Sequence, residues 1–148
     1  QQVGVESCIH FMGFVSEEEK LGLLSMADIY VSTSQHEGFG LVYLEGMACG
    51  LPIICYSHGG QTDFLEDEKT GFLVGLDDLY TFETRCRQLI QNQQQRQAFS
   101  DHNREYVREF YIDNCARRHE ALFNQTIQAY RSGQRAWRLT EHSAIGSD

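Results

Sequence analysis

The chain has 148 residues, 41% of them hydrophobic and 22% charged, with 12 basic against 21 acidic side chains and a net charge of −9. That is the size and composition of one globular domain, and it excludes a disordered or collagen-like chain. The acidic balance speaks against a dedicated nucleic-acid binder, and no apolar run approaches the roughly 18 residues of a membrane helix.

Cys8 to Phe14 is short and apolar and predicts a strand. Ser16 with Glu19 three residues later has the form of a capping box, and Glu17-Glu18-Glu19 suits the positive end of a helix. Leu21, Leu24 and Ala27 supply that helix with an apolar stripe. Asp28 to Ser32 is β-branched and aromatic, the mark of a second strand. Phe39 to Cys49 predicts a buried helix ended by Gly50 at C′. Pro52 to Tyr56 predicts a third strand, with proline at the first position, where it is tolerated. Gly59-Gly60 turns into a short helix through Phe64 and Leu65, Glu66 to Gly71 is a polar turn, and Phe72 to Val74 is a fourth strand.

From Asp78 onward the apolar spacing is helical. Phe82, Cys86, Leu89 and Ile90 form one stripe, Phe99, Tyr106, Val107 and Phe110 a second. A third runs from Ile112 through Cys115, Ala116, His119, Leu122, Phe123 and Ile127 to Tyr130, and His119 is expected to pack in the core with it. Residues 133–148 read as a flexible tail with Trp137 as its large apolar anchor. Repeated strand–helix alternation predicts an α/β fold, a Rossmann-like parallel sheet with helices on both faces, followed by a helical C-terminal region. Such sheets bind ligands at the carboxyl ends of their strands.

The cysteines, Cys8, Cys49, Cys55, Cys86 and Cys115, are odd in number and contain no CxxC. They signal neither a disulfide framework nor a zinc site, and suit reduced, mostly buried thiols in a cytoplasmic protein. The charge is uneven: residues 1–84 carry two lysines against 14 acidic residues, −12, while residues 85–148 carry ten arginines against seven acidic residues, +3.

The second loop, Ser34-Gln35-His36-Glu37-Gly38-Phe39-Gly40, places two glycines and a carboxylate just before a helix. Free amides and a positive dipole end there favour an anion. Glu45 follows Glu37 by eight residues, about two turns into an otherwise apolar helix. A carboxylate there is either solvated or hydrogen-bonded to a partner such as ligand hydroxyls. The third loop, Ser57 to Thr62, has the same style around Gly59 and Gly60. Each set of glycines alone is more often a plain turn, and any one of His10, His36 and His58 is more often a satisfied loop or core histidine; the convergence of two such loops and a carboxylate pair is what marks a site. Asp77-Asp78 reads as a helix cap, not a metal pair.

Taken together, Phe11-Met12-Gly13-Phe14, Ala27 to Ser34, the E-x7-E run from Glu37 to Glu45, Gly46 to Ile54, Gly59-Gly60 and Thr70 to Val74 resemble the donor-binding half of family 4 retaining glycosyltransferases of the two-domain GT-B architecture. The resemblance covers about residues 3–130 and departs at Gly46, where the family has alanine. It implies a nucleotide-sugar (donor) binding domain over residues 1–132. Glu37 would be the catalytic carboxylate beside the donor sugar. His36, Gly38, Phe39, Gly40, Leu41, Gly59 and Gly60 would contact sugar and diphosphate, and Glu45 the ribose hydroxyls. The resemblance implies no metal and no cofactor beyond the nucleotide-diphosphate sugar that serves as donor substrate.

It also implies partners: the nucleotide sugar, and an N-terminal acceptor-binding domain that is missing here with the start of the donor domain, whose basic residues usually clamp the diphosphate. Beginning at Gln1, the chain is expected to be a piece of something longer, inactive alone, with no nucleic acid as ligand and with membrane association, if any, left to the missing half. The alternatives are an epimerase-like relative acting on a nucleotide sugar and a non-catalytic binding module on the same fold.

Overall fold

Three short runs rich in Ile, Val, Phe and Tyr assemble one parallel sheet. In the computed structural model, which describes residues 4–133, β1 (Tyr30–Val31), β2 (Ile53–Tyr56) and β3 (Gly71–Val74) lie side by side in that order. Tyr30 stands opposite Ile53, and Ile53 opposite Gly71. All of β2 is buried, as a central strand covered on both faces should be. A Cβ at Gly71, whose φ is +150°, would lie 1.8 Å from the Ile53 carbonyl oxygen, so this junction of β2 and β3 requires glycine.

Side-chain alternation sends the two faces of the sheet to different helices. Ile54, Tyr56, Phe72 and Val74 form one cluster with Phe82, Leu89 and Phe99. Phe82 and Leu89 belong to α3 (Leu79–Gln91) and Phe99 to α4 (Gln93–Tyr106). On the other face, α2 (Leu41–Ala48) lays Gly46 against Ile53 and the Tyr30 ring, where an added Cβ would find Ile53 Cδ1 at 3.3 Å. The small residue at position 46 is therefore a packing choice. The parallel sheet, its two helical layers and the helical C-terminal region are those expected.

Local signals are obeyed closely. Ser16 caps α1 (Glu17–Met26): its Oγ accepts from the Glu19 amide at 3.2 Å while its own amide donates to Glu19 Oε2 at 2.8 Å. Asp78 caps α3 by accepting from the Thr81 amide at 3.0 Å, and both caps hold their carboxyl groups below the usual range through backbone hydrogen bonds. Gly50, at φ +79°, ends α2 by donating to the Met47 carbonyl at 2.8 Å.

Four expectations change. Cys8–Phe14 is not a strand: residues 6–8 make one 3-10 turn, and Phe11 and Phe14 are fully exposed. A strand is made by pairing, and no described residue pairs with this run. The helix expected over Phe39–Cys49 starts at Leu41 and is buried on one side only, through Tyr43, Gly46 and Met47, while Leu41 and Val42 are exposed. All five cysteines are free, but Cys55 alone is buried, its thiol pushed up to about 12 by that burial. His119 is exposed, with Nδ1 2.8 Å from the Cys115 carbonyl oxygen one turn earlier, so it is not core.

The chain divides into two compact units at Val107 and Arg108. The second contains α5 (Ile112–Arg131), whose predicted apolar stripe forms as a single helix with Ile112, Leu122, Phe123, Ile127 and Tyr130 exposed. The expected tail lies outside the described residues from 134 on, Trp137 included. Among the described residues no helix is long and apolar enough to cross a membrane.

Candidate functional site

The loops that follow β1, β2 and β3 meet at the carboxyl ends of the strands. The first two are stapled together: the Gly60 amide donates to the Glu37 carbonyl at 2.8 Å. Contact is close enough that a Cβ at Gly60 would sit 2.0 Å from the Gly38 carbonyl oxygen, and one at Gly59, φ +106°, 2.9 Å from that of Glu37. Phe39 and Phe64 pack at a tilt of 45° across the same seam with centroids 5.1 Å apart, and the His36 and His58 rings are 6.3 Å apart. The third loop joins at its edge, where Gln35 Nε2 donates to Asp77 Oδ1 at 3.0 Å.

Gly40 is the N-cap of α2 in the left-handed region, φ +91° and ψ 53°, and offers no side-chain cap. An added Cβ there would meet the Tyr43 ring at 2.5 Å. Tyr43 fills the space beneath the turn and donates from its hydroxyl to Ser32 Oγ at 3.1 Å. Among the described residues the amides of Gly38, Phe39, Gly40 and Leu41 find no acceptor; Gly40 is buried and the other three residues are exposed.

The charges of Glu37 and Glu45 are both felt by one phenol. Tyr30 is pushed up from its ordinary range first by burial, then by the charges of Glu37 and Glu45. Its ring meets Tyr43 edge-on at 5.8 Å. Glu45 is half-buried on the second turn of α2, where Lys20 Nζ donates to its Oε1 at 2.8 Å while also holding Glu17 at 2.7 Å. Those bonds, to Glu17 first and Glu45 second, hold the Lys20 ammonium above its usual range. Glu45 Oε2 is enclosed by protein with no hydrogen-bond partner. An enclosed carboxylate oxygen lacking a donor is an unmet hydrogen-bond demand.

A polar cavity of about 190 Å³ lies at the opposite end of the sheet, before β1 and β2, between Asp28, Pro52 and α4. There Arg104 caps the end of α2 through the Cys49 carbonyl, at 3.0 Å, and Arg96 caps α3 through the Ile90 carbonyl, at 2.9 Å. These bonds account for both arginines structurally, and the convergent carboxylates and free amides are at the other end. Among the described residues no three His, Cys, Asp or Glu side chains gather as metal ligands.

Residues 1–106 match the family described as Glycosyl transferases group 1. The chain belongs to that family. It is 27% identical over 135 residues to the D-inositol 3-phosphate glycosyltransferase of Corynebacterium jeikeium, covering 91% of this chain and 32% of the relative. It is 28% identical over 131 residues to the N-acetyl-alpha-D-glucosaminyl L-malate synthase of Bacillus anthracis, covering 88% and 34%. This group 1 chain thus spans about a third of the curated relatives it matches. Sucrose-phosphate synthase from Thermosynechococcus elongatus superposes with a TM-score of 0.74 at 28% identity, over 84% of this chain and 32% of that one. Anabaena HepE, solved with UDP-glucose, superposes with a TM-score of 0.64 at 25% identity, over 70% and 28%.

Of the residues singled out from sequence, His36, Glu37, Gly38, Phe39, Gly40, Leu41, Gly59 and Gly60 come together at one group of loops, with Glu45 on the second turn of the helix they open. Sequence reasoning passed over Lys20, Tyr30, Tyr43 and Gln35. A lysine inside an ordinary surface helix carries no sign that it will meet a glutamate 25 positions later. The tyrosines read as strand and helix filler.

Proposed function

We propose that this chain is the nucleotide-sugar-binding portion of a retaining glycosyltransferase of family 4 that transfers a hexosyl group to an acceptor. The observation carrying the reading is the stapled pair of glycine loops at adjacent strand ends, with Glu37 at their junction and Glu45 on the second turn of α2. Glycines let backbone amides approach the diphosphate, and the helix end offers it partial positive charge. In this reading Glu37 lies beside the donor sugar and stabilises positive charge at the anomeric carbon as the bond to the diphosphate oxygen breaks. The acceptor hydroxyl forms the new bond on the same face, and its proton leaves with the diphosphate. Glu45 accepts from the ribose hydroxyls. In this reading protein groups neutralise the leaving diphosphate, so no metal is required. The acceptor site belongs to the two thirds of the relatives' length that this chain does not span, so the chain alone does not turn over.

The test is an NMR titration of the chain with UDP, GDP and ADP. Shifts are expected to cluster on Glu37 to Glu45 and Gly59-Gly60. Glu45→Ala should weaken nucleotide binding more than Glu37→Ala, because a nucleotide without sugar reaches only the ribose and phosphate contacts. The reverse order would overturn the two roles, and no shifts at millimolar nucleotide would overturn the reading.

A further inference from the structure

Within residues 4–107 the lysines and arginines are engaged away from the glycine loops. Lys20 holds Glu17 and Glu45, Lys69 holds Glu66, and Arg87 holds Glu83. Arg85 reaches Glu68 and lies 4.3 Å over the Phe72 ring, while Arg96 and Arg104 cap helix ends. The side chains at the loops able to carry positive charge are two imidazoles. His36 and His58 come from the loops after adjacent parallel strands, both are exposed, and their rings lie 6.3 Å apart at 53°. The bond from Gly60 to Glu37 fixes the spacing of the loops that bear them. The same loops carry Glu37, next to His36 in the chain, Asp63 on the turn that starts at Gly60, and Asp77, held by Gln35. The phenols of Tyr30 and Tyr43 are held above their ordinary range mainly by burial. All of these are acids, and none is a permanent cation.

We propose that His36 and His58 together hold the donor's diphosphate, one phosphate to each ring, so that the affinity of this chain for nucleotide sugars is governed by pH. The proposal rests on the nucleotide-sugar reading above and adds His58 to its binding residues. Histidine is the side chain whose charge ordinarily changes between pH 5 and 8. A charged N–H donor to phosphate makes a bond about twice as strong as a neutral one. Two rings acting on one dianion make the change cooperative.

A nucleotide sugar is the proper probe, because its diphosphate is a diester whose own charge is constant over this range. The isotope-labelled chain is titrated with UDP-, GDP- and ADP-glucose at pH 5.5 and pH 8.0. The best of the three should bind roughly tenfold tighter at pH 5.5. The double variant His36→Gln with His58→Gln should reduce that difference to less than about twofold, and each single variant should fall between. The matching nucleoside, which lacks the diphosphate, should show no such difference. Both side chains are exposed, so the variants are expected to keep the wild-type spectrum. Equal affinity at the two pH values, a difference that survives in the double variant, or an equal difference for the nucleoside would overturn the imidazole pair and leave the nucleotide-sugar reading standing. No binding of any of the three at either pH would overturn both.

Discussion

At the scale of residues, two glycines of the same sequence style have different work. Gly38 has open space where a Cβ would be, whereas a Cβ on Gly60 would press to 2.0 Å of the Gly38 carbonyl oxygen and 2.7 Å of its carbon. Both neighbours are backbone, so nothing but a loop shift relieves the contact. Gly60→Ala should therefore break the bond to Glu37, destabilise the chain by about 1–3 kcal/mol in urea unfolding and abolish nucleotide shifts at the Glu37 loop. Gly38→Ala should stay within about 0.5 kcal/mol of wild type. The glycine doublet was legible in the sequence as a site marker; which glycine is indispensable was not, because that depends on a contact between loops 22 residues apart in number. Lys20 was hidden for the same reason. Its i,i+3 partner Glu17 is local and unremarkable, while its bond to Glu45 is made only when α1 and α2 are brought side by side.

At the scale of elements, what the sequence revealed is what neighbouring residues decide among themselves. The capping box at Ser16, the cap at Asp78 and the C′ glycine at Gly50 all formed as expected, and the three stripes after Asp78 became α3, α4 with its following turn, and α5. Cys8–Phe14 failed because its apolar content says nothing about a pairing partner. Asn103 was missed because a single amide in a polar helix has no periodic signature. It is fully buried, and its Nδ2 donates to the Leu51 carbonyl at 2.8 Å and the Thr70 carbonyl at 2.9 Å. It thus pins α4 to the segments that lead into β2 and β3. Asn103→Ala would take the Asn103 donor from the Leu51 carbonyl, leave the Thr70 carbonyl with the Ile53 amide, and open a small void, for an expected loss of about 2–4 kcal/mol. Asn103→Asp should cost at least as much, since a carboxylate has no N–H to give. Thermal unfolding of the two variants checks this; an alanine variant as stable as wild type would mean that α4 is held by Phe99 and its apolar neighbours alone.

At the scale of the whole molecule, the acidic body is the feature in tension with a phosphate ligand. Residues 1–84 carry −12, and the whole chain −9. The local attractions at the proposed site are dipolar: the amides of Gly38 to Leu41 and the end of α2, each worth on the order of 1 kcal/mol near a surface. The long-range field is repulsive to a dianion. Salt separates the two, because it screens charges many ångströms away and hardly touches hydrogen bonds at contact. The screening length falls from about 30 Å at 0.01 M to about 8 Å at 0.15 M, so most of the acidic surface drops out of the ligand's field as salt is raised. At pH 8.0 nucleotide-sugar binding by this chain should therefore be weaker than micromolar and should tighten, by about twofold, between 0.01 and 0.15 M NaCl. That is opposite in sign to a site built from lysine and arginine, where added salt weakens phosphate binding. At pH 5.5 the tightening should shrink or reverse, because the imidazolium pair supplies the cationic site that salt screens. Titrations of the same chain at the two salt concentrations and two pH values decide it: affinity that falls with salt at pH 8.0 would place a permanent cation at the diphosphate and assign the loops a different electrostatic design.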